Sequence, residues 1–300
     1  MHIGLAGSSA LAPQAEIVGS LDELIYAVTS TALTNGQMTI DDVEGVCMAS
    51  SDLNDGRAIS TMTLTGSTGS FHKTEMRVCN DGLAALLLAA AEVASGAADG
   101  LIVCAWTKFS DVPDPEAITP LSLEPAFNRP LHYHPGAVLK LRESFETRSI
   151  TVTDDIPITP HDVAVAQVIV REGHPNAGNI SFTGFGSAMG PYLRPGEPVL
   201  KPIVTAATFA LKMGGRTAAD LVKVYVAGMH RVVDAKIAKA LGVLESTIVR
   251  QRPRWADLGY AAGLNSLSNA LQDGVTGPTL IVSAGGLGLE NAHAVLMETK

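Results

Sequence analysis

Charge is scarce in this sequence. Asp, Glu, Lys and Arg make up 17% of its 300 residues, and the net charge is −9. Lysines and arginines form no long cluster, so the phosphate-neutralising surface that nucleic acids or anionic membranes require is missing. Cysteine is scarcer still. Cys47, Cys79 and Cys104 are three in number, too few and too odd for a disulfide framework, which suits a reducing cytoplasm. The longest apolar run, 83–93, is too short to span a bilayer and is interrupted by Glu92. The opening MHIGLAGSSALAP has neither a basic stretch nor a long apolar core, so no signal peptide is expected. GFGSAMG at 184–190 fails as a dinucleotide fingerprint, because its last glycine falls one residue late and no acidic residue follows at the right distance. His132 and His134 sit two apart in a loop without further ligands at a metal-binding spacing, so no metal site is expected.

What is present is hydrophobic: 46% of the chain, enough for a large buried core. Strand-length apolar runs alternate with helix-length segments. Strands are expected at 1–7, 43–49 and 100–106, with helices at 23–33 and 81–97. The second helix is rich in Ala and Leu nearly all round, the mark of a core helix. After a pause near 151–155 the pattern restarts. Residues 163–171 fit helix or strand, 205–213, 234–241 and 260–271 read as helices, and 221–227, 279–283 and 292–297 as strands. This alternation argues for an α/β fold with helices on sheet faces. Two halves with a shared plan, 1–150 and 151–300, suggest internal duplication. The stretch 112–130, with five prolines, reads as one long loop.

Four segments carry chemistry. In Met76-Arg77-Val78-Cys79-Asn80-Asp81-Gly82, an extended stretch delivers Cys79 to the start of the buried helix. Free N–H groups there favour a thiolate and can hold an oxyanion. Cys47 and Cys104 lie inside apolar strands and read as core residues. His230 leaves the end of an apolar strand at a strand–helix turn. Asp257 stands before the helix at 260–271, either as a functional carboxylate or as a helix cap. Ser283-Ala284-Gly285-Gly286-Leu287-Gly288 is a glycine turn. Arg250, Arg252 and Arg254 form the one basic group, just ahead of Asp257.

The run VCNDGLAALLLAAAEVASGAADGLIVCAW (78–106) resembles the nucleophile region of the thiolase superfamily, where a cysteine, a glycine three residues on, an alanine-rich helix and an apolar strand recur. The resemblance extends through most of the chain. It is closest to 3-oxoacyl-ACP synthase III-like enzymes and thiolase-like acyltransferases. His134-Pro135-Gly136-Ala137-Val138-Leu139 is similar to the strand that closes the first half of that class, without its usual aspartate–glycine pair. His230 matches the family histidine that polarises a thioester carbonyl or acts as acid/base toward the cysteine, although the usual Gln-Ala-Asn after it is Arg231-Val232-Val233 here. Asp257 stands where asparagine is expected. Gly286 matches the glycine whose N–H completes the oxyanion hole. The turn lacks the second cysteine of degradative thiolases.

The resemblance implies a thiolase-like fold, two similar βαβαβαββ-type halves in a five-layered α-β-α-β-α arrangement. It implies acyl transfer through a covalent Cys79 acyl-enzyme, with His230 and Asp257 completing a Cys-His-Asp set and the N–H groups of Cys79 and Gly286 holding the oxyanion. The substrate would be an acyl thioester of coenzyme A or of the phosphopantetheine on an acyl carrier protein, with no permanently bound cofactor and no metal. Arg250, Arg252 and Arg254 are candidates for meeting the coenzyme A phosphates or an acidic carrier. Relatives of this kind are homodimers through the first half, with 58–73 near the interface. Two other readings stay open: decarboxylative β-ketoacyl synthesis, and a non-catalytic thiolase-like subunit of a larger acyltransferase complex.

Overall fold

The computed structural model describes residues 2–51, 55, 64–112, 158–190, 200–229, 234–285 and 291–299. The expected strand at 134–139, the pair His132 and His134, His230 and Gly286 lie outside them.

The chain runs β1 (Ile3–Ala10), α1 (Leu21–Asn35), β2 (Gly45–Ala49), β3 (Thr74–Val78), α2 (Gly82–Ser95), β4 (Gly100–Thr107), a two-residue β5 (Thr159–Pro160) and β6 (Val163–Arg171). It continues with β7 (Ile180–Met189), α3 (Leu200–Met213), β8 (Lys223–Ala227), α4 (Asp234–Leu241), β9 (Ile248–Arg250), β10 (Ala256–Asp257), α5 (Ala262–Gln272), β11 (Thr279–Gly285) and β12 (Asn291–Thr299). Most elements match the apolar periodicity within a few residues. The ambiguous 163–171 is a strand. It is buried along nearly its whole length, so both faces are apolar and no period-2 signal survives.

The strands form one sheet in the order β3-β2-β4-β6-β1-β7-β12-β11-β8-β9, with β5 and β10 paired apart. Only two residue pairs, Ile3↔Phe182 and Gly4↔Ser181, join β1 to β7. Outward from that junction both arms read first, fifth, fourth, second, third strand. The hydrogen-bond senses repeat too. β2 is parallel to β3 and β4, while β4–β6 and β6–β1 are antiparallel. β8 is parallel to β9 and β11, while β11–β12 and β12–β7 are antiparallel. The first arm needs β6, which lies beyond residue 150. The two arms meet where β1 pairs with β7.

Three apolar clusters give the layers. α1 covers the outer face of the first arm, and α3 with α4 covers the outer face of the second. Between the arms lie α2 and α5, buried with residues from both. Ala85, Ala89 and Ala90 on α2 and Ala262 and Ala270 on α5 keep these helices thin enough to be flanked by sheet on two sides. The result is the five-layered α-β-α-β-α arrangement.

The two arms also share local chemistry. Thr39 N–H and Oγ1 donate to Asp42 Oδ2 at 2.7 and 2.9 Å, and Thr217 does the same to Asp220 at 2.7 and 2.8 Å. Each turn leads into the second strand of its arm. A Cβ on Gly7 of β1 would strike the Ala32 carbonyl and Gly36 N of α1 and its cap, and one on Gly184 of β7 would strike the Ala210 carbonyl and Gly214 N. Gly184 and Gly186 thus let a helix lie directly on a strand, and that strand, β7, is absent from the sequence-based expectation.

Candidate active site

β2, β3 and β4 are parallel, as are β8, β9 and β11, so their C-terminal ends gather on common edges. Crevices at such edges are where α/β sheets place ligands. β3 runs into Cys79, β8 into Gly228 and Met229, and β11 into Gly285. Cys79 is exposed, whereas Cys47 and Cys104 are buried. Burial pushes the Cys47 thiol up to about 12 and raises Cys104 further, so both stay protonated and inert.

The helix after Cys79 begins later than the sequence suggests. α2 starts at Gly82 with Asp81 as its N-cap, and Cys79 precedes that cap by two residues. Asp81 is 1% exposed. Its carboxylate accepts from Leu83 N at 2.9 Å, Gly263 N at 3.1 Å and Ser283 Oγ at 2.7 Å. Leu83 and Gly263 lie in the first turns of α2 and α5, so the anion sits at the positive ends of both central helices. Only glycine fits at 263, where a Cβ would collide with the carboxylate. Burial raises the Asp81 pKa, opposed by His293 and by its three donors.

Asn80 completes the turn. Its Oδ1 accepts from Asp81 N at 2.7 Å and lies 3.2 Å from His293 Nε2. An atom that already accepts a backbone N–H is an oxygen, so Nε2 is the donor. In the neutral ring Nδ1 then holds a lone pair, and it is buried with no hydrogen-bond partner among the described residues. Burial lowers the His293 pKa, with the charge of Asp81 acting the other way. Asn80, Asp81, Ser283 and His293 escaped the sequence reading. Ser283 lay within the quoted glycine turn, and Asn80 and Asp81 within the quoted cysteine motif, but nothing local shows that they meet.

Asp257 is 4% exposed. Its carbonyl accepts from His161 N at 2.9 Å, and its Oδ1 accepts from Gly259 N at 2.9 Å in the turn before α5. Asp257 is not the cap of α5, whose N-cap is Ala261 and carries no side-chain bond. Gln251, a further residue not foreseen, is buried between two segments. Its Oε1 accepts from Gly228 N at 3.1 Å and its Nε2 donates to Ala256 O at 2.6 Å. The strand end two residues before His230 is thereby tied to the strand residue before Asp257. Of the arginines, Arg250 is turned inward: it pairs with Asp234 at 2.6 Å and donates to the Met229 carbonyl. Arg252 is half exposed and pairs with Asp273 at 3.0 Å, and Arg254 stacks on Trp255 at 5.0 Å. Arg250 is thus the least suited of the three to meet a ligand.

No protein-family model matches the sequence, and no curated protein does. Solved structures do match, over nearly the whole length of both chains. The 3-oxoacyl-[acyl-carrier-protein] synthase III of Aquifex aeolicus aligns with TM-score 0.66 at 12% identity, covering 99% of each chain. The Acat5 thiolase of Ascaris suum, in complex with coenzyme A, aligns with TM-score 0.71 at 11% identity over 100% of each. Xanthomonas campestris OleA with acetamide bound gives 0.70 at 12% over 99% of each. The chain has the thiolase fold. In this thiolase-fold chain the turn 79–81 ends β3 in the first arm, yet three partners of its side chains, Gly263, Ser283 and His293, belong to the second. Among the described residues, no helix is long and apolar enough to cross a membrane.

Proposed function

We propose that the protein is an acyltransferase that carries an acyl group on Cys79. The observation that supports this most is the meeting of α2 and α5 at the Asp81 carboxylate, because it joins the turn that carries an exposed thiol to the helix that follows Asp257. The Gln251 bridge supports the proximity of the His230 segment to Asp257. The Ser283–Asp81 bond supports that of Gly286 to Cys79.

In this reading Cys79 attacks the carbonyl of an acyl thioester of coenzyme A or of a carrier protein, and the thiol of the donor leaves with a proton. The N–H groups of Cys79 and Gly286 hold the oxyanion. His230, oriented by Asp257, takes the proton of the acceptor nucleophile as the acyl group transfers. Arg252 and Arg254 face the phosphates of the donor. The protein works in the cytoplasm as a homodimer through its first arm. The coenzyme A bound to the Ascaris suum thiolase is consistent with a coenzyme A thioester as donor.

Intact-protein mass spectrometry after incubation with short-chain acyl-CoA tests the proposal. The wild type gains one acyl mass and Cys79→Ala gains none; equal labelling of the two would overturn it. Asp257→Asn should form the acyl-enzyme but pass it on more slowly. Release of CO₂ from a malonyl donor would instead identify a condensing enzyme.

A further inference from the structure

We infer that His293 is a positioning residue for the Cys79 nucleophile, acting through Asn80. The inference rests on the acyl-enzyme reading and adds a residue to it.

His293 stands in the middle of β12, opposite Ser283 of β11 and Ser187 of β7, with Val295 and Met297 following on the same face in the central core. Buried places on such a face ordinarily hold apolar side chains. The imidazole there is only 6% exposed, and one of its ring nitrogens has no partner among the described residues. Buried polar atoms left unmatched are rare in folded proteins and call for a reason. The other nitrogen supplies one: Nε2–H holds Asn80 Oδ1, which also receives the Asp81 N–H. The Asn80 rotamer and the 80–81 peptide are therefore fixed together, one residue from the thiol.

Asp81 is fixed in turn by Ser283 and Gly263. Both residues that follow Cys79 are thus gripped by the second arm. A nucleophile displaced by about 1 Å loses on the order of 100-fold in rate, so a turn held this firmly suits a reacting atom.

The test compares full-length wild type, His293→Leu, His293→Gln and Asn80→Ala. Two rates at Cys79 are measured in each: acylation by acyl-CoA and alkylation by iodoacetamide. Acylation should fall roughly 10- to 100-fold in His293→Leu and Asn80→Ala. Alkylation, which needs no aligned substrate, should hold or rise. The amide of His293→Gln can still donate to Asn80, so that variant should recover most of the acylation rate. Wild-type acylation in His293→Leu, or no recovery in His293→Gln, would overturn the inference. Should His293→Leu fail to fold, Asn80→Ala breaks the same hydrogen bond from the more accessible side. If the wild type takes no acyl group at all, the function assigned to Cys79 is wrong. The positioning role is then judged by hydrogen exchange at amides 79–81, which should quicken in His293→Leu and Asn80→Ala but not in His293→Gln. Unchanged exchange would sink it.

Discussion

Ser283 Oγ donates to Asp81 Oδ1 at 2.7 Å, joining β11 to the cap of α2 across 202 residues of sequence. The bond is buried, and the carboxylate has two backbone donors besides. Asp81→Ala should lower unfolding free energy by about 3 kcal/mol, because three donors lose their acceptor at once. Ser283→Ala should lower it by about 1 kcal/mol. In the double variant the two losses should fall short of adding, since Ser283 has nothing left to bind there. Urea unfolding of the four proteins measures all of this.

The three thiols should differ sharply toward a thiol reagent. Cys79 is exposed and Cys47 and Cys104 are buried with raised pKa values. One equivalent of a chromogenic disulfide should react with the native protein, and three after denaturation. Cys79→Ser should leave the native protein unreactive.

Much of this was legible in the sequence. Apolar runs at 43–49, 100–106 and 279–283 mark strands, and the alanine-rich run after Asp81 marks the central helix, because burial on all sides removes polar faces. The exposed thiol among two buried ones was legible for the same reason. β7 was not: Gly184 and Gly186 break its apolar pattern, and their purpose, close approach of α3, is a tertiary contact. The hold on the turn after Cys79 was hidden by distance. Asp81 caps α2, but Gly263 and Ser283 reach it, and His293 reaches Asn80, only once the arms are assembled. Gln251 sat unmarked among arginines whose charge drew the eye.

His293 gives stability a pH dependence of predictable sign. Burial puts its folded pKa below the ordinary histidine value of 6.5, so the unfolded chain binds the proton more readily. Stability should therefore fall as pH drops below about 6.5, until the folded pKa is passed. The charged group beside it is the Asp81 carboxylate, with Asn80, Ser283 and Ser187 the neutral groups nearby. Asp81, raised above 3.8, acts in the opposite sense at lower pH, and comparison with His293→Gln separates the two. That variant should lose the slope between pH 5 and 7 in thermal unfolding.

Gly7→Ala and Gly184→Ala should destabilise the fold similarly, each by about 1–3 kcal/mol. Each methyl would meet a helix carbonyl and a glycine amide in the same arrangement. Calorimetry showing a large loss for one and none for the other would mean the two helix-on-strand contacts are not equivalent.

That twin contact, with the repeated strand order and the repeated Thr–Asp turn, bears on ancestry. A chain whose halves keep one wiring and one set of close approaches is most simply the fused descendant of a shorter polypeptide that once associated with its own copy. In such a pair both central helices would have met at their tips, each presenting an identical cap to the other. Fusion would have freed the copies to differ: one tip carries the Asp81 carboxylate, and the other carries the glycine, Gly263, that makes room for it. Asymmetry at that meeting point, a buried carboxylate on one tip and a glycine on the other, is what a symmetric ancestor would have had to acquire.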